Sequence, residues 1–255
     1  MARHHVFLGP ETLATDVIVG HELVVRGDEA QHAARVKRTE PGERVDILNG
    51  LGLLASGTVT QTRKDRRSGE WELVLAIDAV TQLPPERLAL AVLTPAPKGS
   101  RLEDMVDQLS QVGAASWSPL FTERTVVEPR SGKLERLERT AMESAKQCGR
   151  AWAITLGQGR QLRDVPLGPS VIVADASGTP YVARPEHAGS ITLLVGPEGG
   201  WSPNELAQLR QRGCVVASFG VHVMRIETAA SIAASIVLHT VRNRSNAPHL
   251  ASEKR

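Results

Sequence analysis

The first 83 residues alternate between short apolar runs and turns that contain glycine or charged residues. Short strand-like segments at such intervals are typical of a small sheet or barrel. The segments are HELVVRG (21–27), RVDILNG (44–50), LLASGTVTQT (53–62) and WELVLAIDAV (71–80). We therefore expect a β-rich N-terminal domain, in which the charged stretch QTRKDRRSGE (61–70) forms the tip of a hairpin.

From Leu88 onward the pattern changes to longer apolar runs separated by helical periodicity. Continuous apolar runs are expected of strands that are covered on both faces. They are LALAVLT (88–94), WSPLFT (117–122), SVIVAD (170–175), ITLLVG (191–196) and CVVASFG (214–220). One intervening helix carries Leu102, Met105, Leu109 and Val112 at helical spacing and ends at Gly113, and a second covers residues 133–150. Strands that alternate with helices predict an α/β domain with a mostly parallel sheet.

Two prolines in QLPPERL (82–88) mark the boundary between these patterns, since they stiffen the chain and block strand continuation. We expect domains at 1–83 and 84–245, followed by a flexible tail at 246–255. Residues 1–87 hold 11 Lys/Arg and 13 Asp/Glu, whereas the remainder holds 19 and 15. Basic surface is therefore expected mostly in the second domain, although a local basic patch in the first is compatible with these numbers.

Composition narrows the functional classes. Hydrophobic residues make up 41% and charged residues 23%, as in ordinary globular proteins. Aromatic residues are only 3%, which disfavours a base-stacking recognition sheet. The two cysteines and eight histidines show no metal-ligand spacing, so no metal and no disulfide framework are expected. No membrane span or signal peptide is apparent, and we expect a cytoplasmic protein.

The stretch LLVGPEGGWSPNEL (193–206) places glycines directly after an apolar strand. Ser202 is a predicted N-cap, Pro203 occupies the first helical position, and Glu205 completes a capping box. Gly196–Gly200 is therefore a strand-to-helix loop at the carboxyl edge of the sheet, where open α/β sheets bind ligands. The glycines either allow a ligand to approach the backbone or only supply a tight turn with positive φ.

A second stretch, SFGVHVMRIETAASIAASIVLH (218–239), leaves another apolar strand at Gly220 and enters a helix rich in small residues. We expect Thr228 to be the N-cap of this helix. Together the two stretches resemble the paired signature of the RsmE family of SPOUT-class RNA methyltransferases. Further similarity to that family is found in RLEDMVDQLSQVGAASWSPLFTERTVV, ESAKQCGR and DEAQHAARVKRTEPGERVDI.

The resemblance implies a fold class that periodicity does not reveal. It implies an α/β protein with a C-terminal trefoil-knotted, parallel-sheet SPOUT domain and an N-terminal PUA-like β-barrel that binds RNA. It also implies a homodimer, S-adenosylmethionine as cofactor, and methylation of N3 of one uridine in 16S ribosomal RNA of the small ribosomal subunit. The sequence departs from the usual family pattern at SQVG (110–113) and MRI (224–226).

The resemblance also implies where the cofactor binds. The two loops should surround it, with backbone groups at the glycines reaching the ligand. The expected cofactor-binding residues are Leu194, Val195, Gly196, Pro197, Glu198, Gly199, Gly200, Ser218, Phe219, Gly220, Val223, Met224, Arg225 and Ala229.

Methyl transfer to uridine N3 requires loss of the N3 proton and stabilisation of negative charge on the uracil, for which a cation is suited. Arg225 is the first candidate, with a phosphate or interface contact as the alternative. Arg124 is the second, with a surface ion pair as the alternative. Glu198 is a candidate base that could instead bind backbone amides, and Glu227, beside a helix N-terminus, is better suited to a structural anchor.

Candidate RNA-binding residues are the basic side chains of the first domain and one near the second helix. Two other functions remain open on the residues alone. The protein could be a knotted methyltransferase that acts on tRNA or on a ribose 2′-oxygen, or a non-catalytic RNA-binding protein of ribosome assembly. The RNA-binding candidates are Arg3, Arg26, Lys37, Arg38, Arg63, Lys64, Arg66, Arg67 and Arg150.

Overall fold

The structure, a computed structural model, describes residues 4–125, 134–187 and 189–246. The chain forms two compact units. The first consists of Met1–Pro85 and Met142–Ala153, and the second of Glu86–Ala141 and Ile154–Arg255. The first unit is therefore discontinuous in sequence, because it includes the C-terminal part of a helix that we expected in the second domain. Arg3 and residues 247–255 of the expected tail lie outside the described residues.

The first unit contains a sheet that, within the described residues, has five strands in the order β1-β3-β4-β5-β2. The parallel pair is β1 with β3, and the other pairs are antiparallel. All four strands predicted for this region are confirmed, and β1 is an addition. The strands are β1 (His4–Phe7), β2 (Glu22–Val25), β3 (Arg44–Leu48), β4 (Leu53–Lys64) and β5 (Trp71–Gln82).

A short helical segment between β2 and β3 was not predicted. It consists of α1 (Gly27–His32) and one π-helical turn (Ala33–Lys37), and it ends at Arg38 with a left-handed φ of 52°. Glu29 of α1 accepts hydrogen bonds from the Phe7 backbone, at 3.0 Å, and from Lys146 Nζ, at 2.6 Å. This carboxylate thus joins α1 and β1 to the 142–153 segment of the same unit.

The expected charged hairpin tip is confirmed between β4 and β5. Asp65 Oδ1 accepts hydrogen bonds from the backbone N–H groups of Arg67 and Ser68, at 2.8 and 2.7 Å. Both bonds lower the pKa of Asp65, and the bond from Ser68 has the larger effect. The turn is therefore ordered by its own aspartate, and it presents its basic side chains from a fixed backbone.

The second unit confirms the predicted parallel sheet. Its strands pair in the order β12-β10-β11-β6-β7-β8, with β9 on β7, and every pair within the described residues is parallel. The strands are β6 (Ala89–Thr94), β7 (Ser116–Phe121), β8 (Thr155–Leu156), β9 (Arg160–Gln161), β10 (Val171–Pro180), β11 (Ser190–Val195) and β12 (Val215–Ser218). The trefoil knot itself stays a prediction from the resemblance.

Four further helices follow the sequence pattern closely. They are α2 (Arg101–Val112), α3 (Leu134–Cys148), α4 (Pro203–Gln211) and α5 (Ile226–Asn246). The expected end of α2 is confirmed, since Gly113 adopts a left-handed φ of 99°. The capping box of α4 is also confirmed: Glu205 N donates to Ser202 Oγ at 3.1 Å, and Ser202 N donates to Glu205 Oε2 at 2.8 Å.

The predicted N-cap of α5 is wrong. The helix begins at Ile226, and Thr228 lies within its first turn. The reason is a backbone hydrogen bond of 2.8 Å from Ala229 N to the carbonyl of Arg225, which starts the helical ladder one turn earlier than the threonine suggested. Arg225 therefore stands at the start of this helix.

Alternation along the central strands places two apolar clusters in the second unit. Leu193 and Val195 of β11 belong to a cluster with residues of α2 and α5, whereas Leu194 belongs to a cluster with Leu209 of α4. Strands buried in this way read as continuous apolar runs, as the sequence indicated. The sheet thus fixes the carboxyl ends of β10, β11 and β12 at one edge.

Candidate functional site

A cavity of about 220 Å³ lies at the carboxyl ends of β10, β11 and β12. Adjacent parallel strands end at the same edge of the sheet, and the loops that follow them converge there. The end of β10, the two loops and the start of α5 all contribute. The lining residues are Ala174, Asp175, Ala176, Val195, Gly196, Pro197, Glu198, Gly200, Trp201, Ser218, Phe219, Gly220, His222, Val223, Met224, Ile226 and Ala229.

Most of the expected cofactor-binding residues lie on this lining, and three do not. Leu194 is fully buried among apolar side chains. Gly199 lines a neighbouring cavity of about 170 Å³ instead. Arg225 is exposed, between two lining residues. The lining residues that the sequence analysis did not single out are Ala174, Asp175, Ala176, Trp201, His222 and Ile226. The carboxyl-edge rule, applied to the apolar run that ends at Asp175, could have indicated the β10 residues.

The glycines of the first loop are needed for different reasons. An added Cβ at Gly196 would lie 3.1 Å from the Trp201 ring, so this glycine admits the protein's own indole. Gly200 has a φ of +68°, and its N–H donates to the Pro197 carbonyl at 2.8 Å, as a tight turn requires. The tight-turn interpretation thus holds at Gly200, Gly196 makes room for Trp201, and the approach of a ligand to the backbone stays a prediction.

Trp201 fixes the loop against the neighbouring strand. Its Nε1 donates to the carbonyl of Ala174 at 3.1 Å, and its side chain is buried within one of the two apolar clusters. A buried indole needs a partner for its N–H, and here that partner is the end of β10. Trp201 therefore holds two walls of the cavity together.

Arg124 contacts the outside of the same loop. Its Nη1 donates to the carbonyl of Gly199 at 2.7 Å and lies 3.4 Å from that of Trp201. The arginine is separated by 75 and 77 residues from these two partners. The structure thus places Arg124 as a support of the glycine loop, in contact with backbone carbonyls.

Two of the candidate acidic residues share one arginine. Arg101 Nη1 lies 3.8 Å from Glu198 Oε1 and 3.6 Å from Glu227 Oε1. Glu227 is only 9% exposed, and among the described residues its buried Oε2 has no hydrogen-bond partner. Arg225, in contrast, makes no ion pair with any described residue. The exposed guanidinium at the cavity edge is therefore available to a ligand.

Two of the predicted basic residues of the first unit are joined through one buried carboxylate. Glu72, which is 3% exposed, accepts from Arg26 Nε at 2.9 Å and from Arg63 Nε at 2.9 Å. Both hydrogen bonds lower the pKa of Glu72, and the bond from Arg63 has the larger effect. Thr62 donates to the Thr39 carbonyl at 3.1 Å, which places the turn bearing Lys37 and Arg38 beside β4.

The remaining RNA-binding candidates differ in exposure. Lys64, Arg66 and Arg67 are exposed at the hairpin tip, whereas Arg150 is half-buried in the 142–153 segment. In the part of the chain that the structure describes, no group of three acidic, histidine or cysteine residues could hold a metal ion. The helices there are too short or too polar to cross a membrane.

Comparison with known proteins agrees with these observations. Residues 84–238 match the model of an RNA methyltransferase domain, and residues 25–66 match that of an RNA methyltransferase PUA domain. The ribosomal RNA small subunit methyltransferase E of Mycobacterium bovis is 31% identical over 232 residues, covering 86% of this chain and 86% of its own. The protein of that name from Synechocystis is 28% identical, covering 87% of this chain and 74% of its own.

Solved structures show the same fold. A ribosomal RNA small subunit methyltransferase E from Neisseria gonorrhoeae, bound to S-adenosyl methionine, has a TM-score of 0.75 at 22% identity and covers 94% of this chain and 98% of its own. A methyltransferase from Legionella pneumophila in complex with the same cofactor has a TM-score of 0.73 at 24% identity, with the same coverage. With its two matching domains and its relatives along most of its length, the chain belongs to the ribosomal RNA small subunit methyltransferase E family.

Proposed function

We propose that the protein transfers a methyl group from S-adenosylmethionine to N3 of a uridine in 16S ribosomal RNA. The observation that carries this proposal is the cavity at the carboxyl ends of β10, β11 and β12, in a chain of the ribosomal RNA small subunit methyltransferase E family. Two relatives of the same fold are described as bound to this cofactor.

The lining fits S-adenosylmethionine in its chemistry. Backbone groups at Gly196, Gly200 and Gly220 are accessible beside apolar side chains, which suits a ligand with both a flat ring and polar groups. The carboxylates of Asp175 and Glu198 can accept hydrogen bonds from hydroxyl or ammonium groups. When bound, the cofactor supplies an electrophilic methyl group on sulfur, so no metal is required.

The acceptor side of the reaction requires a group that stabilises negative charge on the uracil. Arg225 is the residue that we assign to this role, because it is exposed between Met224 and Ile226, which both line the cavity. A guanidinium carried at the start of α5 can donate to a uracil oxygen as N3 loses its proton. Arg124 is assigned to the support of the loop, because its donors are already directed at backbone carbonyls.

The basic surface of the first unit is proposed to bind RNA. Glu72 holds Arg26 and Arg63 in fixed positions, and the hairpin tip presents Lys64, Arg66 and Arg67 nearby in sequence. Phosphate contacts release counterions. A plot of the logarithm of affinity for single-stranded RNA against the logarithm of salt concentration should therefore have a slope of roughly −0.7 per contact. Replacing the three tip residues by alanine should reduce this slope by about 2 units if all three contact phosphates.

The decisive experiment for the proposed function maps modified nucleotides in ribosomal RNA from cells with and without the protein. A methyl group on uridine N3 blocks base pairing, so reverse transcription should stop at one 16S position only when the protein is present. Complementation with Arg225→Ala serves as the control and should leave the position unmodified. A modification found instead on tRNA, or on a ribose 2′-oxygen, would replace the proposed acceptor.

A further inference from the structure

The cavity wall includes Phe219, whose ring is supported from behind by Tyr181, the only tyrosine of the chain. The two ring centroids are 5.5 Å apart and the ring planes differ by 24°, which is an offset-stacked pair. Tyr181 is also joined to this wall through its backbone, because its N–H donates to the Ser218 carbonyl at 3.3 Å. Tyr181 thus contacts the cavity wall without lining the cavity.

Tyr181 is in turn fixed by His187, which is fully buried. The Tyr181 hydroxyl lies 2.8 Å from His187 Nδ1, and His187 Nε2 lies 3.2 Å from the carbonyl of Pro169. A carbonyl can only accept, so Nε2 carries the imidazole proton and Nδ1 accepts the hydrogen bond from the tyrosine. Burial lowers the pKa of His187, which agrees with a neutral ring.

The segment that carries this pair is attached at its middle as well. Arg244 of α5 donates a short hydrogen bond to the carbonyl of Ala183. The backbone N–H of Arg184 also lies 3.3 Å from His187 Nδ1. The hydrogen bonds at Tyr181, Ala183 and His187 therefore hold the segment behind Phe219 in one conformation.

We propose that Tyr181 and His187 are positioning residues that hold Phe219 as a stacking surface for the adenine ring of S-adenosylmethionine. This inference rests on the proposed function, since it assumes that cofactor in the cavity. Adenine is the flat, aromatic part of the cofactor. Of the two large aromatic rings on the lining, Trp201 is already packed against Gly196, whereas Phe219 is stacked on Tyr181 and lines the cavity.

The test uses two conservative substitutions and their combination. Tyr181→Phe keeps the stacked ring and removes the hydroxyl that His187 holds, while Phe219→Leu removes the stacking surface. Each should weaken S-adenosylmethionine binding by about two- to tenfold in calorimetry, as expected for one hydrogen bond or one aromatic pair. The KM for the cofactor should rise by the same factor with kcat unchanged, and adenosine should lose affinity in parallel.

The double variant distinguishes positioning from a general structural effect. Because Tyr181 acts through Phe219, the pair should bind no more weakly than Phe219→Leu alone, whereas independent effects would multiply. Thr179→Val is a matched control, since it removes an exposed hydroxyl from β10 that does not line the cavity, and it should bind like the wild type.

The outcomes separate this inference from the proposed function. If the wild-type protein binds S-adenosylmethionine but Tyr181→Phe binds equally well, or the two losses multiply in the double variant, the inference is overturned. Failure of the wild type to bind the cofactor would contradict the proposed function itself. Tyr181→Phe retains the ring and therefore the packing, so this comparison does not depend on replacing the fully buried His187.

Discussion

At the residue scale, Gly196, Gly199 and Gly200 of the first loop have different roles. Their alanine variants should therefore differ in stability and in cofactor affinity. Gly200→Ala should lower the free energy of unfolding by about 1–2 kcal/mol, because alanine is strained at a left-handed φ. Gly196→Ala should lower the free energy of unfolding by about 1–3 kcal/mol and weaken cofactor binding, because the Trp201 ring has to move. Gly199→Ala should be nearly neutral, since its added Cβ makes ordinary contact with Arg124 at 3.6 Å.

Urea unfolding and calorimetry with S-adenosylmethionine test this order. Gly199→Ala is the matched control, in the same loop and with the same added methyl group. The sequence predicts that Gly199 borders the ligand, whereas the structure places it on a neighbouring cavity. If Gly199→Ala loses the most cofactor affinity of the three variants, the sequence-based prediction is correct.

Arg225 and Arg124 should respond differently to the same substitution. Arg225→Ala should lower the single-turnover methyl-transfer rate by about 10²–10³-fold and leave cofactor affinity nearly unchanged, because one preorganised donor to the developing charge is lost. Arg225→Lys should restore little if a planar guanidinium is needed. Arg124→Ala should instead weaken cofactor binding by about tenfold, because the carbonyls of Gly199 and Trp201 lose their donor.

The rates are measured at saturating RNA over a range of pH. Higher pH should partly restore Arg225→Ala, because hydroxide helps to remove the N3 proton. A phosphate-binding Arg225 would give lower RNA affinity with a wild-type saturated rate, and that result would move the catalytic assignment to Arg124 or Glu198.

At the scale of elements, the contact between β1 and Thr39, just after the π-helical turn, predicts a pH-dependent stability of the first unit. His4 Nδ1 lies 3.2 Å from Thr39 Oγ1, and burial, together with the charges of Lys37 and Lys146, lowers the pKa of His4 to about 4. The unfolded histidine titrates near 6.5. The unfolded chain therefore binds the proton first, and stability should be lost as the pH falls from 6.5 towards 4.

His4→Asn keeps a polar group near Thr39 and removes this titration. The difference in the free energy of unfolding between pH 7 and pH 4.5 should be smaller in this variant than in the wild type. His21→Asn, at an exposed histidine of the same unit, is the control and should behave like the wild type. Equal pH dependence in His4→Asn and the wild type would show that other groups determine the acid stability.

Local patterns predicted the elements well where periodicity and caps coincide. The nine predicted strands, the end of α2 at Gly113 and the capping box of Ser202 and Glu205 all follow from adjacent residues. The two-residue strands β8 and β9 were not predicted. The start of α5 was misplaced because Thr228 is a good N-cap residue by type, whereas the hydrogen bond from Ala229 to Arg225 decides the start. β1 and α1 are four and six residues long, too short for a clear period.

The candidate site was predictable only in part for a different reason. Its two loops are local stretches, but their supports come from distant positions in the chain. Arg124 contacts the glycine loop across 75 residues, and Trp201 reaches Ala174 across 27. Pairings of this kind depend on the order of strands in the sheet, which periodicity does not specify.

At the scale of the whole molecule, we predict a homodimer. The prediction comes from the family resemblance and from the small residues of α5, and exposed apolar side chains support it. Val221, Val223 and Ile232 are 93%, 94% and 41% exposed, and apolar surface of this kind often marks an interface. Light scattering at micromolar concentration should give twice the chain mass of 27.5 kDa.

Ile232→Lys places a charge on the exposed side of α5 and should shift the mass towards that of one chain. An exposed substitution in the first unit, such as Val36→Lys, is the matched control, because Val36 is 66% exposed there. A wild-type protein that is monomeric and fully active would contradict the dimer.

The discontinuous first unit predicts the behaviour of a truncated protein. Removal of the chain before Leu88 deletes Glu29, the partner of Lys146, and the carbonyls of Leu83 and Pro84, which lie 3.2 and 3.1 Å from Trp152 Nε1. The fragment should still bind S-adenosylmethionine, but amides of residues 142–153 should exchange hydrogen faster than in the intact protein. RNA affinity should fall. Unchanged exchange or full RNA affinity would contradict the assignment of this segment to the first unit.

The same discontinuity has a consequence for biosynthesis. When residue 85 leaves the ribosome, the N-terminal unit still lacks the segment that supplies Lys146 and Trp152. At about 5–20 residues per second, translation of residues 86–153 takes roughly 3–14 s. During this interval all five described strands of the N-terminal sheet have been synthesised, but the unit lacks the contacts of residues 142–153. The first 85 residues therefore become fully folded only after part of the second unit has been made.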